Sequence, residues 1–516
     1  MRIGVDVGGT NTDAVVMNGN EVVAAIKAPT TEDVESGIVS AVGEVLRQAD
    51  IDTAMIESVM IGTTQFTNAF VERKRLVEVG ILRLALPATT SLKPLVDWPR
   101  DLVEKVGTNV AMAHGGYEFD GREISALRPD EISDAAKAFE REGLTSIAIS
   151  SVFAPMNQEM ENKAADIVAS EIPGAQVTLS SNIGRIGMVE RENAAIMNAS
   201  LMKLSRRVVS AFRSALEELG IAAPFFVSQN DGTLMTADYV EKYPVLTFAS
   251  GPTNSMRGAA FLSNIKDAIV IDIGGTTTDV GVLTHGFPRE SAVAVDVGGV
   301  KTNFRMPDIL AIGLGGGSIV RNQGQDIGPD SVGYELTEKA RIFGGSELTA
   351  TDIAVAAGTA DIGDKSQVDD LDPAIVRSGT DRMHSMLEET IDRVKTSAAD
   401  VPVVLVGGGA VLVNKPLKGA SEIVTPENAG VANAIGAAIA QVGGEVDRVF
   451  SYDEKGREQA LDDAKREASD RAVAAGAVSQ TVSIIDVEEV PLAYLPGGAV
   501  RVRVKAVGDL AVENPR

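Results

Sequence analysis

One motif occurs twice, and this constrains the fold more than any other feature of the chain. Asp6-Val-Gly-Gly-Thr-Asn-Thr-Asp13 is repeated as Asp272-Ile-Gly-Gly-Thr-Thr-Thr-Asp279, each copy preceded by an apolar strand and followed by another. A strand, tight turn and strand recurring at domain-scale spacing predicts two homologous halves facing each other across a cleft. Each copy has the chemistry of a phosphate site. Glycine lets backbone N–H groups approach an anion with no Cβ in the way. Gly8, Gly9, Gly274 and Gly275 supply that access, and Thr10, Asn11, Thr12, Thr276 and Thr277 add side-chain donors. Asp6 and Asp272 are unsuited to direct phosphate contact but suited to the waters of Mg²⁺, which keeps several waters beside one or two carboxylates. The alternative for either copy alone is a hairpin with a glycine-rich type I′ turn. The repetition in register favours the nucleotide reading.

Composition narrows the partners. At 516 residues the chain is too long for a single core. A formal charge of −25 repels nucleic acid and anionic membranes, so neither is expected as a partner. Zero cysteines exclude disulfides, thiolate nucleophiles and cysteine-ligated metal. The three histidines, His114, His285 and His384, have no ligand spacing. No apolar run reaches membrane-spanning length and the first strand begins at Ile3, which together predict a cytoplasmic protein.

Taken in order, the chain predicts a helix over Thr31–Gln48 with Thr31 as its cap, then a strand delivering Gly62-Thr63-Thr64-Gln65-Phe66-Thr67-Asn68. That loop is either a ligand loop at a strand end or a helix start capped by Thr63 or Thr64. Residues 87 to 122 contain Pro87, Pro94 and Pro99 and predict an inserted set of hairpins rather than βα repeats. Met188 to Gly220 predicts a long helix broken near Asn198–Ser200, and Glu427 to Gln441 a small-residue helix. Two further strand-to-glycine turns follow, Gly315-Gly316-Gly317-Ser318 and Gly407-Gly408-Gly409, the second a natural place for adenine and ribose to lie against bare backbone. Beyond residue 445, a charged helix and two strands joined through Pro496-Gly497-Gly498 predict a small unit of their own.

The two aspartate turns, together with Val403-Val-Leu-Val-Gly-Gly-Gly-Ala410, resemble the phosphate and adenosine motifs of the actin, sugar-kinase and chaperone-ATPase superfamily. Gly62–Asn68, Glu190-Arg-Glu-Asn193, Gln229-Asn-Asp-Gly232, Ser250-Gly-Pro252 and Ile312–Ser318 are similar to the A subunit of the hydantoinase/5-oxoprolinase family. The resemblance implies an α/β fold of two ribonuclease-H-like, actin-like ATPase domains around a nucleotide cleft, plus a small C-terminal α+β appendage. It divides the chain as 1–182, 183–444 and 445–516, with Asn433-Ala-Ile-Gly436 in a connecting helix.

It further implies ATP-dependent activation of a cyclic amide or imide carbonyl by phosphorylation, for ring opening, with a separate B-type subunit or a homo-oligomer as partner. On that reading Asp6 and Asp272 hold Mg²⁺, residues Gly8 to Thr12 and Gly274 to Thr277 hold the phosphates of ATP, and Gly407, Gly408 and Gly409 border adenosine. Gly62, Thr63, Thr64, Asn68, Gly315, Gly316, Gly317 and Ser318 border the substrate. Two other functions fit the same fold: a small-molecule kinase, and an ATPase that activates a partner enzyme.

Overall fold

The computed structural model describes residues 1–8, 11–29, 34–291, 293–493, 495 and 497–511. The positions of Gly9, Thr10, Thr31 and Pro496 therefore lie outside the described residues.

Two sheets carry the duplicated motif and share one strand order. In the first, Glu21–Pro29, Asn11–Asn18 and Arg2–Val7 run antiparallel to their neighbours, and Ser58–Thr63 and then Phe225–Ser228 extend the sheet in parallel. In the second, Phe287–Pro288, Thr278–Thr284 and Ala268–Ile273 are antiparallel, with Val401–Val406 and Ala420–Val424 added in parallel. Third, second, first, fourth, fifth is the ribonuclease-H-like order, and the chain uses it twice. Alternation places the residues. Ile3, Val5 and Val7 are buried in the main core, whereas Gly4, on the opposite face, lies under the helix Ala432–Ala438.

Helices Ser250–Ser263 and Ala432–Ala438, which stand where the chain passes between the halves, cross where side chains are smallest. A Cβ on Gly258 would stand 1.9 Å from the Ala432 carbonyl oxygen, and one on Gly436 would stand 1.8 Å from that of Asn254. Glycine is required on both sides because the two backbones touch. The small-residue helix is shorter than expected. It ends at Ala438, and from Gln441 the chain runs as a strand to Ser451.

Residues 80–179 form a four-stranded parallel sheet in the order Val110–His114, Gly80–Leu86, Ser146–Ser151, Gln176–Leu179. Helices Arg100–Val106, Pro129–Arg141 and Glu159–Glu171 connect its strands. This corrects the expectation of hairpins. The strands Gly80–Leu86 and Ser146–Ser151 are buried along almost their whole length, as a parallel sheet covered on both faces requires, and the proline-rich run is the loop before Arg100. Only the Tyr117–Glu123 bridge is hairpin-like.

Met188–Glu218 is one unbroken helix of 31 residues. Its polar positions are internal ties. Glu192 accepts from Arg83 Nε at 2.7 Å and from Ser150 Oγ at 2.7 Å, and Asn193 accepts from the Trp98 indole at 2.8 Å. Asn198, where a break was expected, instead donates to Thr178 Oγ1 at 3.0 Å and to the Lys242 carbonyl at 2.8 Å.

The C-terminal α+β unit is a continuation of the first sheet. Gln441–Ser451, Ala499–Gly508 and Ser483–Pro491 follow Thr233–Thr236 in one nine-stranded sheet, backed by the helix Arg457–Ala474. Phe225–Ser228 and Thr233–Thr236 belong to that sheet as well, so divisions at 182 and 444 both cut within the first half. The chain crosses to the second half only at Ala268 and returns after Ala438.

Candidate active site

Among the described residues the two motif copies close in the same way. Gly8 N donates to the Asn11 carbonyl at 3.0 Å, and Gly274 N donates to the Thr277 carbonyl at 2.9 Å. In each, the first aspartate is paired across the strands with the last, Asp6 with Asp13 and Asp272 with Asp279. Both first aspartates are also overlaid by a glycine from the adjoining parallel strand. A Cβ on Gly62 would lie 2.1 Å from Asp6 Oδ1, and one on Gly407 would lie 2.3 Å from Asp272 Oδ1.

The four carboxylates are electrostatically linked. Burial, then the charge of Asp13, pushes the Asp6 carboxyl up to about 6, against hydrogen bonds from Asn254 and Asn433 and with a further push from Asp272. Burial and the neighbouring Asp272 push Asp279 up to about 7. Asp272 is raised by burial, against Ser255 and Lys27, and with a contribution from Asp13. Lys27 Nζ is 2.8 Å from Asp13. Asp6 and Asp13 of one half and Asp272 of the other are near enough to act on one another's charge, so the two halves' acidic groups face one cleft.

Three of the groups holding these aspartates had no role in the sequence reading. Asn254 Nδ2 donates to Asp6 Oδ1 at 3.3 Å, and Asn433 Nδ2 donates to Asp6 Oδ2 at 3.0 Å and Asp13 Oδ2 at 2.8 Å. Ser255 faces Asp272 and lowers its carboxyl. All three come from the crossing helices. The stretches containing them stood out in the sequence, but the partners of Asn254 and Asn433 are hundreds of residues away.

Thr63 is buried, and its hydroxyl accepts from Gln65 N at 3.2 Å, so it serves the start of the helix Gln65–Val71. Thr64 Oγ1 reaches the Val7 carbonyl at 3.4 Å and accepts from the exposed Asn68 amide at 3.3 Å. Gly315 to Ser318 is a brace behind the second aspartate turn. Gly316 N and Gly317 N donate to the carbonyls of Gly274 and Gly275 at 3.0 and 2.7 Å, and Ser318 Oγ accepts from Gly315 N at 2.8 Å. Gly407 (φ +83°) and Gly409 press on Ile273, whereas Gly408 has open space where a Cβ would be. A separate cavity of about 550 Å³ lies away from the aspartates, between Gln229–Thr236 and the C-terminal residues Gly443, Glu445, Arg471 and Lys505.

These groups fit a nucleotide with a divalent cation. Glycine backbone overlies Asp6 and Asp272, and the crowding of the buried Asp6 and Asp13 with the half-buried Asp272 and Asp279 is one that a cation would relieve. Among the described residues no three acidic or histidine groups converge as a metal cage.

The hydantoinase/oxoprolinase N-terminal region is recognised over residues 2–172, and the hydantoinase/oxoprolinase region over residues 191–362. The chain belongs to the hydantoinase/oxoprolinase family. The caprolactamase subunit alpha of Pseudomonas jessenii is 26% identical, over 69% of this chain and 54% of that protein. The acetophenone carboxylase gamma subunit of Aromatoleum aromaticum is 25% identical, over 69% of this chain and 53% of that protein. The chain thus spans about half the length of these curated relatives. The crystal structure of the ATP-dependent caprolactamase from P. jessenii superposes with a TM-score of 0.79 at 19% identity, covering 98% of this chain and 87% of that one, a likeness of fold. No helix among the described residues is long and apolar enough to cross a membrane.

Proposed function

We propose that this protein is the ATP-using subunit of a hydrolase that opens a cyclic amide or imide of the hydantoin, 5-oxoproline or lactam type, working in the cytoplasm with a B-type partner subunit or as a homo-oligomer. The observation that carries the reading is the pair of matched aspartate turns, each overlaid by a glycine and both contributing to one cleft. An amide carbonyl is a poor electrophile. ATP would supply a phosphoryl group to the carbonyl oxygen, so that water can add to the carbon, the C–N bond can break and phosphate can leave. Asp6 and Asp272 would hold Mg²⁺. The turns at Gly8–Thr12 and Gly274–Thr277 would take the phosphates, and Gly408, the open glycine of its turn, would face adenosine. Thr64 and Asn68 border the substrate side. Phosphoryl transfer depends mainly on positioning and charge neutralisation, which suits a site built from backbone donors and rigid carboxylates. Family relatives named as subunits of a caprolactamase and of an acetophenone carboxylase support both ATP-dependent carbonyl activation and the need for a partner.

The test is ADP release with Mg²⁺-ATP across hydantoins, 5-oxoproline, lactams, ketones and sugars. Stimulation by a cyclic amide with ring-opened product establishes the reading. Stimulation only by a sugar or alcohol replaces it with a kinase. Asp272→Asn is expected to lower turnover at least ~100-fold with an unchanged circular dichroism spectrum, since the paired carboxylates position the reacting phosphate. Turnover at the native rate in that variant would remove Asp272 from the site.

A further inference from the structure

The two crossing helices are related to each other as the two halves are. In Ser250–Ser263 the crossing glycine is Gly258, and in Ala432–Ala438 it is Gly436. Each glycine meets the backbone carbonyl four residues before the other, Gly258 against Ala432 and Gly436 against Asn254. That reciprocity defines a local pseudo-twofold axis through the crossing. Three residues before each glycine, and so on the same helical face, stands a polar side chain: Ser255 on one helix and Asn433 on the other.

Each faces a motif aspartate of the sheet its helix packs on. Ser255, on the helix that lies against Ala268–Ile273 and Val401–Val406, stands beside Asp272. Asn433, on the helix that lies against Arg2–Val7, donates to Asp6 and Asp13 at 3.0 and 2.8 Å. Asn433 Oδ1 accepts from Ala434 N at 2.9 Å, which fixes the side-chain amide so that its NH₂ faces the carboxylates. Asp6 and Asp13 are cross-strand neighbours that would repel if unbridged, and Asn433 is the group that spans them.

We infer that Asn433 is a positioning residue: it spans Asp6 and Asp13 and holds both carboxylates in orientation for a metal ion. Asn254, whose backbone carbonyl abuts Gly436, gives Asp6 its other donor, so the contact of the two helices and the aim of Asp6 are one arrangement. Outer groups that orient ligating carboxylates typically matter by 10- to 100-fold in metal affinity.

This inference rests on the metal-nucleotide reading above, and one experiment separates the two. Mn²⁺ binding in the presence of ADP is titrated by electron paramagnetic resonance, and ADP binding in EDTA is measured by calorimetry, for the native protein and for Asn433→Leu and Asn433→Ser. Asn433→Leu keeps the volume and removes the donor. Its Mn²⁺ affinity is expected to fall ~10-fold or more, with metal-free ADP binding within about twofold of native. Asn433→Ser, which installs the residue the other helix uses, is expected to recover most of the Mn²⁺ affinity; it also serves if the leucine variant does not fold. Native Mn²⁺ affinity in Asn433→Leu overturns the positioning role. Equal loss of metal-dependent and metal-free binding in both variants also overturns it, by showing that Asn433 only supports the crossing. A native protein that binds no Mn²⁺-ADP overturns the functional reading and, with it, this assignment.

Discussion

At Gly62 and Gly407 a single hydrogen stands where any other residue would place carbon. Each lies beside the strand that carries the first aspartate of its half, and each would put a Cβ within 2.1 and 2.3 Å, respectively, of a carboxylate oxygen. Gly407 also has φ +83°, which side chains rarely adopt, so two separate constraints meet there. Gly62 has only the steric one and makes the cleaner test. Gly62→Ala is expected to push Asp6 away from its Asn254 and Asn433 donors and lower ATP turnover at least ~10-fold, since sub-ångström misplacement of a reacting group is costly. Steady-state kinetics with thermal unfolding in parallel would check it. Native turnover in a stable variant would show that the Asp6 carboxylate moves freely. The aspartate turns were legible in the sequence because the strand, turn and strand that form each one lie within eight consecutive residues, Asp6 to Asp13 and Asp272 to Asp279. Asn433 was not, because it is an ordinary polar residue on a short helix, and its importance comes from a strand more than four hundred residues earlier.

Among the elements, the crossing helices show how little tolerance the joint between halves has. Gly436→Ala would set a methyl 1.8 Å from a carbonyl oxygen that cannot rotate aside. The expected cost is about 3 kcal/mol, the upper end for overpacking, because backbone and not a side chain must yield. Chemical denaturation would measure it, and a loss under 0.5 kcal/mol would mean that the helices slide. The sequence showed a small-residue helix here but placed its end too late, at Gln441. Ala and Gly suit a close crossing, and only tertiary pairing with Thr233 and Leu234 turns Gln441 and Val442 into strand. Within the parallel insertion, the helix Arg100–Val106 and the strand Val110–His114 were missed for a related reason: both are short, the strand is partly exposed, and its pairing with Gly80–Leu86 is what makes it a strand.

For the whole molecule, the seam where the last strands meet the first half is held by charge. Asp231, Lys505, Arg305, Glu445, Glu290 and Arg503 form a buried network, with Lys505 Nζ 3.1 Å and Arg305 Nη1 3.2 Å from Asp231, and Arg503 paired with both Glu290 and Glu445. Burial alone would raise the Asp231 carboxyl; Lys505 and Arg305 outweigh it and hold the group far below the usual carboxylate range. A carboxyl depressed in the folded state adds stability above its unfolded value, near pH 4, and loses it as the pH falls toward the folded value. Urea unfolding from pH 6 down to 3 is expected to show that loss, and Asp231→Asn to flatten it. The same substitution at pH 7 should cost about 3 kcal/mol, because it leaves Lys505 and Arg305 without their shared partner. A pH slope unchanged in the variant would place the acid sensitivity elsewhere.

The seam also bears on how the protein is made. Strands from residues 2 to 236 and from 441 to 508 share one sheet, with the entire second half threaded between them. A chain emerging from the ribosome can finish the second half while the first still presents the open edge of Thr233–Thr236. The part synthesised first is thus the part completed last. During translation its unfinished edge is the surface most in need of a chaperone, and a stalled or prematurely stopped product would expose that edge for as long as it survived.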